Sequence, residues 1–306
     1  MFEQFIELKE KIRYKINNMS NLSILIEQLK PFNCHDKLRI GSVYDGGYIM
    51  PEKTLRDADC LLSFGVSTNI DFEEHFLKLN QSVEIYMYDP FIGFREDFVR
   101  LIKRVFKKDE TIIKREIKLA DNPFYFVKDK GLLRQSVERA FHWIKFYKFI
   151  AQNKVFFRKI GLRNYCDSKF TNFQSIFSND IILSKKSIVL KIDIEGDEYI
   201  VFDDLINFVT NISVILFEFH DVKNNYIELT NIIKKLKEIG LYLVHIHGNN
   251  SDVLVEGSTI PNTLELTFCK AEYCNYPEID ESKYPVNNLD APCNPKKVDY
   301  MLDFLN

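Results

Sequence analysis

The sequence lacks a continuous apolar run of the length that a membrane helix or a secretory leader requires. A membrane span needs about 20 consecutive apolar residues, and the apolar region of a leader needs about 7–15. The first 18 residues, MFEQFIELKEKIRYKINN, interrupt their apolar positions with Glu and Lys every two or three residues. We therefore expect no membrane span and no targeting segment, and we predict a cytoplasmic protein.

Cysteine and excess charge of one sign are also scarce. The chain has six Cys among 306 residues, and no two of them form a C-x-x-C motif. This excludes a disulfide scaffold and indicates reduced, buried thiols. Lys and Arg number 41 against 44 Asp and Glu, giving a net charge of −3, which excludes a general polyanion binder. No DNA-binding module is apparent, so we predict no nucleic-acid partner.

Glycine is scarce as well, with 11 residues, and the sequence has no G-x-G-x-x-G. The segment SFGVSTN (63–69) follows an apolar run and precedes a helical pattern, but it contains only Gly65. Dinucleotide pyrophosphates need a second close backbone approach. The segment therefore argues against NAD and FAD and favours a cofactor without phosphates, such as S-adenosylmethionine, approached by backbone N–H groups near Gly65. An ordinary strand-to-helix turn is the alternative.

What the chain does have is a regular alternation of short apolar runs with helical stretches. Apolar runs without polar alternation suit strands buried on both faces of a parallel sheet. The alternation predicts an α/β protein with an open doubly wound sheet, whose ligand lies beyond the carboxyl ends of the strands. The predicted strands are 61–65, 83–88, 111–119, 187–192, 212–219, 241–246 and 263–268, and the predicted helices between them are 71–80, 94–107, 197–209 and 224–239.

The pattern divides the chain into three regions. Residues 1–58 are predicted to form a helical cap, with two helices within 1–30, followed by a D-G-G-Y segment at residues 45–48. Residues 59–270 form the sheet domain, and residues 271–306, with four Pro, form an extended arm. A helical insertion is predicted at about 120–165, because residues 128–163 hold ten Lys and Arg among many aromatics. A solvated face is the favoured interpretation of this insertion, and a surface for an anionic substrate is the alternative.

Acidic residues and His follow the predicted strands. Asp89 comes 24 residues after Gly65, close to the offset of about 20 at which an acid binds a ribose diol. A turn before Pro90 is the alternative. Further along, the acids Asp193, Glu195 and Glu218 and the imidazole of His220 suit a hard divalent cation such as Mg²⁺, a carboxylate–His base or a structural hydrogen-bond network.

Combined and in this order, these motifs resemble FkbM-type S-adenosylmethionine-dependent methyltransferases. The family signature is similar to LKIDIEGDE (190–198), and a subgroup with a D-G-G-Y segment resembles 39–51 and 61–76. VHIHGNN, LELTF and LDAPCNP are also similar to that subgroup, so the resemblance covers about 36–296. It implies a Rossmann-like class I methyltransferase sheet of seven strands, the last antiparallel. It also implies O-methylation of a hydroxyl on a sugar, polysaccharide or related glycan precursor.

The resemblance, taken with the strand ends, gives the predicted site. The expected cofactor-binding residues are Asp45, Gly47, Tyr48, Ser63, Gly65, Val66, Ser67, Glu73 and Asp89. His220 is predicted as base or ligand, Asp193 as ligand or orienting group, and His247 as a reserve base. Asp193, Glu195 and Glu218 are the candidate metal ligands. A plain hairpin turn is the alternative for the D-G-G-Y segment, and a zinc site at His245 and His247 is disfavoured because no Cys or third His is near in sequence.

The expected partner is a sugar or glycan acceptor; an anionic or nucleotide-linked acceptor and a homo-oligomer stay open. Three other functions compete. The first is a non-catalytic S-adenosylmethionine-binding or interaction protein with the same fold. The second is a metal-dependent glycosyltransferase, although D-I-E at 193–195 is not the D-x-D such enzymes often show. The third, a nicotinamide oxidoreductase, is disfavoured because the 63–69 segment contains only one Gly.

Overall fold

The computed structural model describes residues 22–92, 141–178, 180–255 and 258–303. The predicted helix at 94–107, the predicted strand at 111–119 and the first of the two N-terminal helices lie outside these residues. The second N-terminal helix is present at 22–28.

A seven-stranded sheet forms the centre of the described chain. Its order is β5-β4-β3-β8-β9-β11-β10. Strand β11 is antiparallel to both of its neighbours, and the pairs from β5 to β9 are parallel. This confirms the predicted Rossmann-like sheet with its last strand antiparallel. The strands are β1 Lys37–Gly41, β2 Gly47–Pro51, β3 Cys60–Phe64, β4 Glu84–Tyr88, β5 Val155–Arg158, β6 Gly161–Leu162, β7 Phe170–Thr171, β8 Ile188–Ile192, β9 Ile212–Phe219, β10 Leu241–Gly248 and β11 Leu264–Lys270.

The central strands are apolar throughout because both of their faces are covered. Every residue of β3, β8 and β9 is buried, and alternate residues point into two separate apolar clusters. The helices are α1 22–28, α2 Glu52–Asp57, α3 Asp71–Leu79, α4 141–150, α5 Phe173–Phe177, α6 Asp180–Leu183, α7 Glu198–Leu205 and α8 Val222–Glu238, with 3₁₀ turns at Ile206–Asn211 and Ala271–Tyr273.

The D-G-G-Y segment is a turn of a hairpin that covers one face of the sheet. Strands β1 and β2 pair antiparallel from Lys37 opposite Pro51 to Gly41 opposite Gly47. The Thr267 hydroxyl on β11 donates a hydrogen bond of 2.6 Å to the Ile49 carbonyl on β2. A side chain at Gly47 would meet the Ser42 carbonyl at 2.0 Å, so Gly47 is required by the turn itself.

The predicted helical insertion is partly wrong. Helix α4 lies within it, but residues 155–158 form β5, the edge strand paired with β4. The segment VFFR is a short edge strand with alternating exposure, so it lacks the flat apolar pattern that identifies the central strands. Trp143, Phe146 and Phe149 of α4 are buried, and Lys145 pairs with Asp71 and Glu74 of α3, which favours the solvated-face interpretation for this part.

Residues 271–303 run across the sheet edge without α-helix or strand. Lys37 and Asp280 form an ion pair of 2.9 Å with side chains only 8% and 7% exposed. Asn250 at the end of β10 accepts a hydrogen bond from the Asn294 N–H and donates to three arm carbonyls. The arm is therefore fixed to the domain by buried polar contacts. In the described residues, no helix combines the length and apolar character needed to cross a bilayer.

Candidate functional site

A crevice of about 720 Å³ lies at the carboxyl ends of β3, β4 and β8. The sequence-predicted residues that line it are Asp45, Gly65, Val66, Ser67, Glu73, Asp89, Asp193 and Glu195. Gly47, Tyr48, Ser63, Glu218, His220 and His247 lie outside its lining. A more open groove of about 820 Å³ between α3 and α4 contains none of the predicted site residues. The crevice is therefore the candidate ligand site.

Gly65 brings the loops after β3 and β8 into direct contact. Its φ is +74°, and a Cβ there would lie 1.5 Å from the Asp193 carbonyl oxygen. Only glycine fits such a position. The Gly65 N–H donates to the Tyr88 carbonyl at 3.0 Å. The Gly65 N–H therefore holds the neighbouring strand end, while Gly65 itself shapes the crevice; its predicted contact with a cofactor stays a prediction.

Asp89 is tied to the loops on both sides of it. Its Oδ2 accepts from the Ser67 N–H at 2.9 Å. Its Oδ1 accepts from the N–H groups of Phe91 at 2.7 Å and Ile92 at 3.0 Å. The turn interpretation therefore describes much of what Asp89 does. Because a carboxylate oxygen has two acceptor sites, Oδ2 keeps one for a ligand in the crevice.

Glu73, in the first turn of α3, is a buried acid that faces the crevice. It is 1% exposed, and its Oε1 accepts from the Ser63 hydroxyl at 2.5 Å. Its Oε2 is buried and has no hydrogen-bond partner among the residues that the structure describes. Burial raises the pKa of Glu73, and the Lys191 ammonium and the Ser63 hydroxyl oppose that shift. An orphaned acceptor of this kind fits a cationic or hydrogen-bond-donating ligand.

The end of β8 carries a buried ion network. Lys191 is 4% exposed and lies 3.4 Å from Asp193 Oδ2. Burial lowers the pKa of Lys191, but Asp193, Glu73 and Glu218 outweigh burial and raise it. The Tyr48 hydroxyl, buried under the hairpin, bridges Asp193 at 3.3 Å and Glu218 at 3.2 Å. The network joins the ends of β8 and β9 to the hairpin at one point.

His220 and Glu218 complete this network from the end of β9. The imidazole Nδ1 is 3.1 Å from Glu198 Oε1, and Nε2 is 3.8 Å from Glu195 and 3.9 Å from Glu218. Burial lowers the pKa of His220, but the hydrogen bond and charge of Glu198 raise it to about 10, with help from Glu218 and Asp193. Burial and the neighbouring acids Asp193 and Glu265 raise the pKa of Glu218 well above its usual range.

The raised pKa favours the imidazolium form of His220, which is a poor general base. This disfavours His220 as the predicted base, leaves its role as a ligand a prediction, and makes Asp193 the better placed group. Asp193 lines the crevice. Its Oδ2 accepts from Tyr48 and Lys191, while Oδ1 receives no hydrogen bond from the described residues. One carboxylate oxygen of Asp193 is thus available to a hydroxyl in the crevice.

Side chains near the ends of β8 and β9 also supply three possible ligand atoms for a cation. Ligand atoms of Asp193, Glu218 and His220 all lie within 4.8 Å of one another. Glu195 is farther out, with a side chain 88% exposed. Of the predicted ligands, Asp193, Glu218 and His220 therefore lie together in the structure, and Glu195 does not join them; metal binding by this set stays a prediction. Lys191 and Tyr48 already donate to the same carboxylates, and they would compete with a metal.

His247 does not reach the crevice. It is 1% exposed; Nδ1 lies 2.9 Å from Glu265 on β11, and Nε2 lies 3.1 Å from Asp299 of the arm. Its role as reserve base is therefore wrong, because the arm and β11 enclose both of its nitrogens.

The sequence analysis missed Lys191, Glu198 and Asn249. Lys191 interrupts the otherwise apolar strand IVLKI, and a buried Lys is rare enough to be a signal. Glu198 accepts from the N–H groups of Ile194 and Gly196 as well as contacting His220, but in the sequence an acid at this position is what the start of a helix favours. The Asn249 amide donates to Glu218 at 2.8 Å, and no local pattern marks that contact.

Comparisons with known proteins add little beyond the general architecture. No protein-family model matches the chain, and no curated protein matches it. Among solved structures, the chain is similar to the precorrin-6y C5,15-methyltransferase of Geobacter metallireducens (11% identity, 71% of this chain and 84% of that chain, TM-score 0.31). It is also similar to Sp1610 of Streptococcus pneumoniae in complex with S-adenosyl-L-methionine (11%, 74% and 68%, 0.31). A third similarity is to a fibrillarin/Nop5p complex (9%, 70% and 74%, 0.33).

At these identities and TM-scores, the assignment rests on the strand order and the crevice of the chain itself. Those features define a protein with a Rossmann-like sheet and a ligand crevice at its carboxyl edge. Membership of the FkbM family stays a prediction.

Proposed function

We propose that this chain transfers the methyl group of S-adenosylmethionine to a hydroxyl oxygen of a sugar, polysaccharide or related glycan precursor. The observation that supports the proposal is the charge of the crevice. Its lining has six carboxylates, Asp45, Glu73, Asp89, Asp193, Glu195 and Asp197, against two cations, Arg163 and Lys191.

This charge favours a positively charged cofactor over a phosphate-bearing one. S-adenosylmethionine carries a sulfonium and an ammonium, whereas NAD and nucleotide sugars carry diphosphates. Charges of like sign cost about 1–4 kcal/mol at 4 Å near a protein surface. The Gly65 N–H, which would begin a phosphate cradle, is engaged by Tyr88. Both features disfavour the glycosyltransferase and oxidoreductase alternatives.

Individual residues fit parts of the cofactor. The orphaned Glu73 Oε2 suits the ammonium of the methionine portion, because a charged donor satisfies a buried carboxylate. Asp89 keeps acceptor capacity for a ribose hydroxyl, as the resemblance implies. When bound, the cofactor supplies an electrophilic methyl group, so the protein has only to orient the acceptor and remove a proton.

Asp193 is the group assigned to that proton. In the proposed reaction its Oδ1 accepts the hydroxyl hydrogen as the oxygen approaches the methyl carbon. Lys191 and Tyr48 hold Oδ2 and fix the orientation of the carboxylate. The raised pKa of His220 favours a positive charge beside Asp193. A positioned base contributes about 10²–10⁴-fold to the rate.

A divalent cation is a second way to acidify the hydroxyl. Asp193, Glu218 and His220 would hold it, and a bound cation lowers the pKa of a coordinated hydroxyl. The cation would have to displace the His220 proton and the Lys191 contact. Metal dependence is therefore an outcome to measure, and Mg²⁺ and a chelator belong in every assay.

The test is a binding comparison on the full chain. S-adenosylhomocysteine, NAD and a UDP-sugar are each added, with Mg²⁺ and with a chelator, and the unfolding temperature is measured. A ligand at about 100 times its Kd stabilises the folded state by about 2.7 kcal/mol. We expect the shift with S-adenosylhomocysteine; a shift with NAD or a UDP-sugar instead would overturn the proposal.

Methyl transfer is tested separately with labelled S-adenosylmethionine and a panel of monosaccharides, nucleotide sugars and polysaccharides. Label in a base-stable ether is expected with at least one acceptor class. Binding without transfer to any acceptor would support the non-catalytic alternative.

A further inference from the structure

A second cluster of ligating side chains lies outside the crevice, between the edge of the sheet and the arm. His247 on β10, Glu265 on β11 and Cys293 of the arm are 1%, 6% and 4% exposed. Suitable ligand atoms of all three lie within 4.8 Å of one another. We propose that His247 Nδ1, Glu265 and Cys293 Sγ bind a zinc ion that fixes the arm to the sheet.

The distances are close to those of a zinc site. Cys293 Sγ is 3.4 Å from Glu265 Oε1 and 4.0 Å from His247 Nδ1, and His247 Nδ1 is 2.9 Å from Glu265 Oε2. Tetrahedral zinc, with bonds of about 2.3 Å to sulfur and about 2.0–2.2 Å to nitrogen or oxygen, separates its ligand atoms by roughly 3.4–3.6 Å. Shifts of about half an ångström would bring the three to that geometry.

The chemistry of the donors selects the metal. One thiolate, one imidazole and one carboxylate form a borderline-soft set that suits zinc and not Mg²⁺ or Ca²⁺, which prefer oxygen alone. His247 and Glu265 face each other in the β10–β11 ladder, so a rigid element presents two of the ligands. Cys293 comes from 28 residues further along the chain, which is why no compact sequence motif marks the site.

Asp299 supplies the support that metal-bound imidazoles normally have. Its Oδ2 is 3.1 Å from His247 Nε2. A carboxylate that accepts from the far nitrogen keeps the proton on Nε2 and leaves Nδ1 as the ligand. Binding would release the Nδ1 and Sγ hydrogens to water as protons, so uptake depends on pH. A water molecule or the second Glu265 oxygen would complete the four ligands.

The competing account is an imidazole held between Glu265 and Asp299 without metal. Metal analysis of the purified full chain separates the two. The protein is prepared without a polyhistidine tag, and its zinc content is measured by mass spectrometry as isolated and after chelation and titration with Zn²⁺. We expect about one zinc per chain. No zinc as isolated, together with no uptake on titration, would overturn the proposal.

Variants locate the site. Cys293→Ser removes one ligand and should abolish tight zinc uptake, whereas Cys274→Ser, a partly exposed thiol of the same arm, should keep it. Asp299→Asn leaves all three ligands and should weaken zinc binding about 10–100-fold. It therefore tests the site even if Cys293→Ser fails to fold. Unchanged uptake in both Cys293→Ser and Asp299→Asn would contradict the assignment.

Asp193→Asn distinguishes this site from the cation-binding candidates in the crevice, and zinc uptake should survive it. Replacing zinc with Co²⁺ gives a readout that is independent of activity. A thiolate-to-cobalt absorption band is expected in the parent chain and in Cys274→Ser, but not in Cys293→Ser. Cobalt binding without that band would exclude Cys293 as a ligand. The inference does not depend on methyl transfer, and its failure leaves the proposed function intact.

Discussion

Two buried lysines show how differently the arm and the crevice are built. The Lys37 ammonium donates to Asp280 at 2.9 Å, the Val244 carbonyl at 3.1 Å and the Tyr284 hydroxyl at 3.3 Å. The Lys191 ammonium has a single hydrogen bond among the described residues, to Asp193 at 3.4 Å. A fully paired buried charge stabilises a fold only when its hydrogen bonds are complete. The contact of Lys37 with the arm meets that condition, whereas Lys191 at the crevice does not meet it within the described residues.

The largest effect should come from the crevice. Asp193→Asn removes the proposed proton acceptor and should lower methyl transfer by about 10²–10⁴-fold, with the affinity for S-adenosylhomocysteine nearly unchanged. Single-turnover transfer and calorimetric binding measure the two quantities. Asp203→Asn, on the exposed side of α7 with a side chain 82% exposed, is the control. A full transfer rate in Asp193→Asn would remove Asp193 from the mechanism.

Where the arm contacts β1, Lys37→Met should cost about 3–5 kcal/mol of unfolding free energy, because it leaves Asp280 buried and unpaired. Lys53→Met breaks an exposed pair with Asp57 and should change the unfolding free energy far less, because solvent screens such a pair. Denaturant unfolding measures both. Equal losses of unfolding free energy in the two variants would mean that the pair of Lys37 and Asp280 does not stabilise the fold.

The ion pair of Lys37 and Asp280 also predicts how the unfolding free energy depends on pH. Burial raises the pKa of Asp280, but Ser282 and Lys37 outweigh it and lower the pKa to about 2. A depressed carboxyl pKa stabilises the fold above the unfolded pKa of about 3.9. That contribution is lost as the pH falls from about 4 to about 2. The loss should be smaller in Lys37→Met.

Gly65→Ala should destabilise the chain by about 2–4 kcal/mol, from overpacking and from a left-handed backbone. Gly240→Ala is the matched control: its φ is +84°, and a Cβ there meets nothing within 4 Å. It should show the backbone cost alone, about 1–2 kcal/mol. The difference between the two unfolding free energies measures the approach of Gly65 to Asp193. No difference would mean that the two loops separate easily.

The smallest effect concerns Glu73. Glu73→Gln should weaken binding of S-adenosylhomocysteine about tenfold or more, the size of one charge-assisted hydrogen bond. Glu74→Gln, one residue along α3 and partly exposed, should leave binding unchanged.

Although Glu73→Gln should weaken ligand binding, it should increase the unfolding free energy relative to the parent chain at neutral pH. Burial raises the Glu73 pKa, so the parent chain loses stability as the pH rises from the unfolded carboxyl pKa through the folded one. The variant should not show this loss, because Gln does not ionise. The unfolding free energy of the variant, relative to that of the parent, should therefore increase between acidic and neutral pH. A constant difference would contradict a buried, ionising Glu73.

Much of the fold could be predicted from the sequence because the central strands are apolar on both faces. Runs such as ISVILFEF leave little doubt about a buried strand, and β9 occupies residues 212–219 as predicted. The edge strand β5 escaped prediction because only one of its four residues is buried. The role of the hairpin could not be predicted, because Asp-Gly indicates a turn but not the surface on which the hairpin packs.

The site was predicted in part for a related reason. Strand order places residues after β3, β4 and β8 at one edge, so Glu73, Asp89 and Asp193 could be proposed together. The sequence could not assign protonation, because the His220 pKa depends on Glu198 across a loop. It also could not place His247, since Cys293 and Asp299 reach it only through the path of the arm.

The contact between Gly65 and Asp193 has a kinetic consequence for the proposed reaction. Since the Asp193 carbonyl occupies the space of a missing side chain, the loop after β3 and the loop after β8 are held against each other. In the proposed reaction the first loop would bear the cofactor and the second the proton acceptor, so the substrate that binds first would set the position of both. Such mechanical coupling favours an ordered sequence of arrival over a random one.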